Sequence, residues 1–201
     1  YDKTNIGSPM PKFTFGWTNT FRYKNFDLSV FINGSYGNKV YNYLSMKLTH
    51  MNSPWTNQLN AVNGRAQLVP INPNKVYEDG TMWYNDVSNV MVANPGASIP
   101  RATINDPNDN DRISDRYIED GSYIRLKNIS LGYTFPKKTI DKLGLSNLRI
   151  YANIQNLLTI TGYDGYDPEI GASTSSVNVY GLDNGRYPSP TVYSFGLNVS
   201  F

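Results

Sequence analysis

Phe13-Thr14-Phe15-Gly16-Trp17-Thr18-Asn19-Thr20-Phe21-Arg22-Tyr23-Lys24-Asn25-Phe26-Asp27-Leu28-Ser29-Val30-Phe31-Ile32-Asn33-Gly34-Ser35-Tyr36 is the stretch whose pattern decides the fold. Phe13, Phe15, Trp17, Phe21 and Tyr23 fall on alternate positions, as do Phe26, Leu28, Val30, Ile32 and Tyr36, with mostly polar or small residues between them. A period of two sends neighbouring side chains to opposite faces of an extended chain, so both halves read as β-strands. Lys24-Asn25 has the length of a two-residue hairpin turn. The register of such a turn sets Tyr23 against Phe26, Phe21 against Leu28 and Trp17 against Ile32 on one face, and Arg22 against Asp27 and Thr20 against Ser29 on the other. Asn19, opposite Val30, and Phe31 break the pattern.

Three further runs repeat it. Ile129, Leu131, Tyr133 and Phe135 alternate with Asn128, Ser130, Gly132 and Thr134 until Pro136 stops the strand, and Tyr123–Lys127 is expected to project beyond the apolar band. Leu148, Ile150, Ala152 and Ile154 alternate with Arg149, Tyr151, Asn153 and Gln155. Tyr193, Phe195, Leu197, Val199 and Phe201 alternate with Ser194, Gly196, Asn198 and Ser200. Strands are therefore expected near 13–23, 26–36, 122–135, 147–156 and 191–201, joined alternately by short turns and by long loops at 37–121 and 157–190.

A strand of roughly 9 to 11 residues, tilted near 40°, spans an apolar band about 25 Å tall. Short turns alternating with long loops fit a membrane barrel, whereas a soluble sandwich turns about every 8 to 12 residues and rarely holds a structureless loop beyond about 15. The expected fold is all-β: the last five or so strands of a large antiparallel transmembrane barrel, running down, up, down, up, down, with long extracellular loops. Five strands leave an open edge that hydrocarbon does not tolerate, so the rest of the sheet is expected elsewhere. The residues expected to face lipid are Phe21, Leu28, Val30, Ile32, Ile129, Leu131, Leu148, Ile150, Phe195, Leu197, Val199 and Phe201.

The composition agrees. The chain has 201 residues with 16 Tyr, 16 Gly and 17% charged residues, a balance suited to aromatic girdles and strands. Its mean hydropathy is negative, as expected where only alternate residues meet lipid. No run approaches the roughly 18 apolar residues of a helical span. The formal charge of +2, scattered along the chain, gives no basic face for nucleic acid. The absence of cysteine excludes disulfides and thiolate chemistry and leaves the compartment open. The chain opens in mid-pattern at Tyr1 without an export leader, so it reads as a fragment whose export information lies upstream.

Several stretches resemble the C-terminal region of the SusC/RagA family of TonB-linked outer-membrane transporters: Gly7–Phe13 (GSPMPKF), Tyr23–Leu28 (YKNFDL), Asp120–Asn128 (DGSYIRLKN), Gln155–Leu158 (QNLL) and Gly165–Glu169 (GYDPE). The resemblance implies a barrel of about 22 strands in the outer membrane, closed by an N-terminal plug that lies outside this sequence. It also implies a SusD-like surface lipoprotein as lid, and TonB-driven import of oligosaccharides or peptides. It implies no enzymatic activity. A soluble all-β carbohydrate-binding module and a plugless structural or adhesive barrel are the alternatives.

Candidate site residues divide by loop. Trp55, Trp83 and Tyr84 in the first long loop, and Tyr163, Tyr166 and Tyr180 in the second, have faces that stack on sugar rings or contact a lid protein; packing of the loops accounts for them more simply. Ser53-Pro54 before Trp55, Leu59 and Val62 predicts a capped helix start. His50, the sole histidine, is expected to be a loop histidine and not part of a triad or metal site. Asp106, Asn108 and Asn110 imitate a calcium loop, but Asp111 replaces its Gly and Tyr117 its bidentate Glu, so Asx turns are expected and no cofactor. Asp115, Glu119 and Asp120, beside Arg112, Arg116 and Arg125, are expected to be solvated loop charges and not an acid–base pair. Gly162–Gly171 reads as turns.

Overall fold

The computed structural model describes residues 3–170, 172–173 and 176–201. In chain order its elements are β1 (Phe13–Tyr23), β2 (Phe26–Tyr36), β3 (Lys39–Asn42), α1 (Tyr43–Thr49), β4 (Leu68–Pro70), β5 (Val90–Val92), β6 (Ile118–Asp120), β7 (Tyr123–Thr134), α2 (Lys137–Ile140), β8 (Asn147–Thr161), β9 (Ala172–Ser173), β10 (Ser176–Tyr180), β11 (Leu182–Asp183) and β12 (Val192–Ser200). The chain divides into two compact units, residues up to Asn42 with Ile118–Phe201, and Tyr43–Tyr117.

In the first unit β1, β2, β7, β8 and β12 form one sheet in that order, every neighbouring pair antiparallel. The first hairpin pairs Tyr23 with Phe26, Phe21 with Leu28, Trp17 with Ile32 and Arg22 with Asp27. Lys24 takes the φ of +52° that so tight a reversal needs. Phe31 sits on the polar face because Gly16 leaves room for its ring, 3.2 Å from where a Cβ would stand. On the other face Phe21, Phe26, Leu131, Ile150, Phe195 and Leu197 are exposed, so this sheet's apolar side has no second layer against it among the described residues.

Strand β7 changes phase at Lys127. Tyr133, Leu131 and Ile129 lie beside Phe26, Leu28 and Val30; beyond the Phe31–Asn128 pair, Ile32 meets Leu126 and Gly34 meets Ile124, leaving Lys127 as a bulge. The inserted residue puts Ile124 and Leu126 on the apolar face and Tyr123 and Arg125 on the polar one. β8 has an irregularity at the same level, where Asn156, with φ +52°, and Leu157 separate the Asn128–Gln155 and Leu126–Leu158 pairs. β8 runs on to Thr161, past the residue 156 at which alternation placed its end.

The two long connections carry structure of their own. β3 pairs antiparallel with β6 and parallel with β11, with Val40 fully buried at its centre. Burial in this unit concentrates there, around Val40, Tyr123, Tyr163 and Asp183, at the end of the sheet away from Lys24.

In the second unit β4 and β5 pair as Leu68–Val92, Val69–Met91 and Pro70–Val90. Asn89, buried beside them, donates to the carbonyl of Asn72 at 3.1 Å and accepts from its amide at 2.7 Å. The helix start expected at Ser53-Pro54 is not one. The Ser53 hydroxyl accepts from the Trp55 amide two residues on, at 3.3 Å, which closes a local turn. The next helical turn is a short 3-10 stretch, Asn60–Gly64, and the unit's α-helix is the earlier Tyr43–Thr49.

Candidate functional site

The phase change at Lys127 delivers a buried cation to the polar side of the sheet. Arg125, 2% exposed, donates from Nε to Thr159 Oγ1 at 2.8 Å, from Nη1 to Glu169 Oε2 at 2.8 Å and from Nη2 to Asp167 Oδ1 at 2.5 Å. Lys127 Nζ reaches the same Glu169 oxygen at 2.9 Å. Two cations thus face two carboxylates, and the Tyr-Asp-Pro-Glu loop is clamped to the sheet.

Asp167, 3% exposed, also accepts from the amides of Glu169 and Ser189, both at 2.9 Å. Burial would raise its pKa; those amides and the Arg125 guanidinium outweigh it and hold the carboxyl at about 2. Because the folded value lies below the unfolded one, the stabilisation is complete above about pH 4 and is lost as the pH falls toward 2. Removing one partner of so buried a pair strands the other charge, at a cost of roughly 3 to 5 kcal/mol.

A second anchor lies alongside. Tyr163, 6% exposed, donates its hydroxyl to Asp183 Oδ2 at 2.5 Å, and burial followed by this bond pushes the phenol pKa up. Asp183 Oδ1 accepts from the amides of Gly185 and Arg186 at 2.9 and 3.2 Å. Gly165 is required here because any Cβ would collide with the Tyr163 ring. Gly171 lies outside the described residues.

Beside these anchors is a cavity of about 430 Å³, bounded by Pro9, Pro11, Tyr123, Glu169, Tyr180 and Arg186. Tyr180 and Tyr166 stand exposed, whereas Tyr163 is spent on packing and on Asp183. In the second unit Trp55 is 92% exposed, and Trp83 and Tyr84 meet edge to face with centroids 5.6 Å apart.

The acidic candidates form no acid–base pair. Glu119 accepts from Asn42 Nδ2 at 2.8 Å and from the Asp164 amide at 2.9 Å, and Asp120 accepts from both the amide and the hydroxyl of Ser122. The expectation of solvated charges fails for Arg125, because the bulge turns it inward, and holds for exposed Asp115 and Arg116. His50 is more than a loop residue: its Nε2 stands 3.0 Å from Asp106 Oδ2, both side chains being nearly buried. Asp106 also accepts twice from Asn110, from its amide and its side chain, at 2.6 Å, so its carboxylate closes the 106–110 turn across four residues and not as the expected Asx turn. Burial would raise its pKa, and the Asn110 and His50 bonds bring it below the ordinary value. At the sheet's other end Arg149 Nη2 reaches Asp27 Oδ2 at 2.5 Å, crossing β7 where Gly132 has no Cβ to obstruct it.

Sequence reasoning missed the clamp. Its signal was the break between even-numbered Ile124 and Leu126 and odd-numbered Ile129 and Leu131, which marks an inserted residue.

No protein-family model matches the chain. TonB-dependent receptor P3 of Formosa agariphila is 36% identical over 205 residues, covering all of this chain and 17% of the receptor. TonB-dependent receptor P26 of the same organism is 33% identical over 208 residues, and TonB-dependent receptor SusC of Bacteroides thetaiotaomicron 28% over 203, again across the whole of this chain and 18% and 16% of theirs. Among solved structures, the RagAB peptide importer in its closed-closed state aligns over 97% of this chain and 18% of its own, with TM-score 0.66 and 20% identity. The RagAB peptide transporter gives 0.65 and 19% over the same shares; at such identity the likeness speaks to fold. The chain spans less than a fifth of the length of these relatives. Along its whole length the chain is thus similar to TonB-dependent receptors, SusC among them, and its sheet shares the fold of the matching part of RagAB.

Proposed function

We propose that this chain is the C-terminal part of the barrel wall of an outer-membrane, TonB-dependent importer. The observation that carries the reading is the exposed apolar face running across all five strands of the sheet, opposite a face of Thr, Ser, Asn, Arg and Asp. In water such a face is a liability; against acyl chains it is the stable arrangement. The apolar face therefore meets lipid, through Phe21, Leu28, Val30, Ile32, Ile129, Leu131, Leu148, Ile150, Phe195, Leu197, Val199 and, at the chain's last position, Phe201. The polar face looks into a wet lumen. The barrel's remaining strands, its plug and the TonB-contacting segment come from the rest of the protein. This role calls for no catalysis and no cofactor.

The short turns at Lys24-Asn25 and α2 face the periplasm, and the clamped loops and the second unit face outside. Oligosaccharides or peptides are the cargo class, and a SusD-like lipoprotein is the lid. Exposed Trp55, Tyr84, Tyr166 and Tyr180 are the side chains best placed to touch either.

Leu28 and Ser29 are neighbours on opposite faces of β2. In the full-length receptor Leu28→Arg is expected to cost roughly 2 to 4 kcal/mol and to lower the heat-modifiable outer-membrane form, while Ser29→Arg leaves it close to wild type. Equal assembly of the two variants would overturn the assignment of faces.

A further inference from the structure

Two features of the short-turn end meet at Phe26. One is a groove of about 550 Å³ on the apolar face, where Ala152 lies between Leu131 and Phe195 in the sheet and its missing bulk leaves a hollow. Tyr133, Ile150 and Leu197 line it as well, and its Phe26 and Tyr133 rings pack at 4.7 Å. Phe135 follows Tyr133 at 5.0 Å, continuing the aromatic row toward the turn.

The other is a cationic rim. Lys137, Lys138 and Lys142 are exposed in the turn between β7 and β8, and Lys24 is exposed in the hairpin turn. Among the described residues no carboxylate bridges any of them, while Asp27, the acid nearest in sequence to Lys24, is taken by Arg149. Asp141 is the one acid within the β7–β8 turn. Leu143 in that turn is 69% exposed, although Ile140, one helical turn earlier, is buried. Phe26 borders the groove and also the adjoining cavity of Lys24, Phe135 and Pro136, and Lys137 and Lys138 directly follow Pro136 in the chain, so the groove leads to the foot of the rim.

We propose that this groove and rim form a binding site for an anionic phospholipid of the inner leaflet, with an acyl chain along Ala152 and the headgroup phosphate against Lys137, Lys138 and Lys142. The inference rests on the membrane reading above. The hollow takes hydrocarbon but offers nothing to a sugar. The aromatic row is what an interface places between apolar band and headgroups, and lysine stems carry their ammonium groups outward to phosphate. Excess positive charge selects a headgroup with net negative charge over a zwitterionic one, and Leu143 has the exposure of a residue that dips into the interface.

The test uses the full-length receptor in mild detergent, titrated with phosphatidylglycerol or phosphatidylcholine of matched chains and read by native mass spectrometry. Wild type is expected to retain phosphatidylglycerol about tenfold more strongly. Lys137→Gln/Lys138→Gln/Lys142→Gln is expected to bring that retention down to the phosphatidylcholine level, and Ala152→Phe to weaken retention of both lipids. Absence of a preference in wild type, a triple variant that keeps the preference, or an Ala152→Phe protein that holds both lipids as before would each overturn the site. A triple variant that loses heat stability equally in both lipids while keeping its preference would assign the rim to an acidic protein segment instead. Heat-modifiable migration separates the two levels: an inserted wild type without lipid preference removes only the lipid site, and a wild type that never inserts removes the membrane reading.

Discussion

Arg125 and Asp167 define what a single residue contributes. Their ion pair is almost wholly removed from water, whereas Glu169, the guanidinium's other partner, keeps 38% of its side chain exposed. Truncating the buried partner leaves a charge that nothing solvates, while truncating the exposed one removes an interaction that water already screens. Asp167→Asn is therefore expected to loosen the second loop by about 3 kcal/mol and Glu169→Gln by less than about 1 kcal/mol. Amide exchange across Leu182–Ser189 in the folded receptor measures both: roughly a hundredfold acceleration for the first variant and a few-fold change for the second. Equal acceleration would mean that the loop is held by Tyr163 and Asp183 and not by the clamp.

At the scale of elements, the bulge at Lys127 lets Arg125 serve the polar side of the sheet. Deleting Lys127 closes the bulge and sets Leu126 directly beyond Asn128, so that Ile124 and Leu126 stay on the apolar face and Arg125 on the polar one. Lys127→Ala keeps the bulge and gives up only the bond to Glu169. Both variants are expected to keep the heat-modifiable form; its loss in the deletion alone would show that the bulge itself, and not only the face it sets, is needed to seat Arg125 on Asp167. Alternation made the long strands legible because β1, β2, β8 and β12 each repeat it several times, which fixes face and register together. β3, β6 and β11 were not legible, since runs of two to four residues carry too few repeats to be told from a loop. The clamp was hidden for a different reason: Arg125 and Asp167 lie 42 residues apart, and no local pattern reports a partner at that distance. At Ser53-Pro54 a sequence signature was present and misleading, because the serine hydroxyl serves a two-residue turn equally well.

At the scale of the molecule, the sheet-bearing unit and the Tyr43–Tyr117 unit are separate compact bodies. β3 leads out and β6 leads back, with Tyr41 paired to Ile118. Replacing residues 43–117 by one glycine leaves Asn42-Gly as a two-residue loop between those paired positions, the sequence that favours a tight hairpin. The wall keeps its own burial around Val40 and its own Arg125 clamp, both of which lie in the first unit. The excised receptor is accordingly expected to insert and to show heat-modifiable migration close to wild type. If Trp55, Trp83 and Tyr84 serve the lid, co-purification of the surface lipoprotein should fall several-fold in the same protein. Loss of insertion would show that the wall depends on the excursion to fold, and insertion with undiminished lipoprotein would move the contact to Tyr166 and Tyr180.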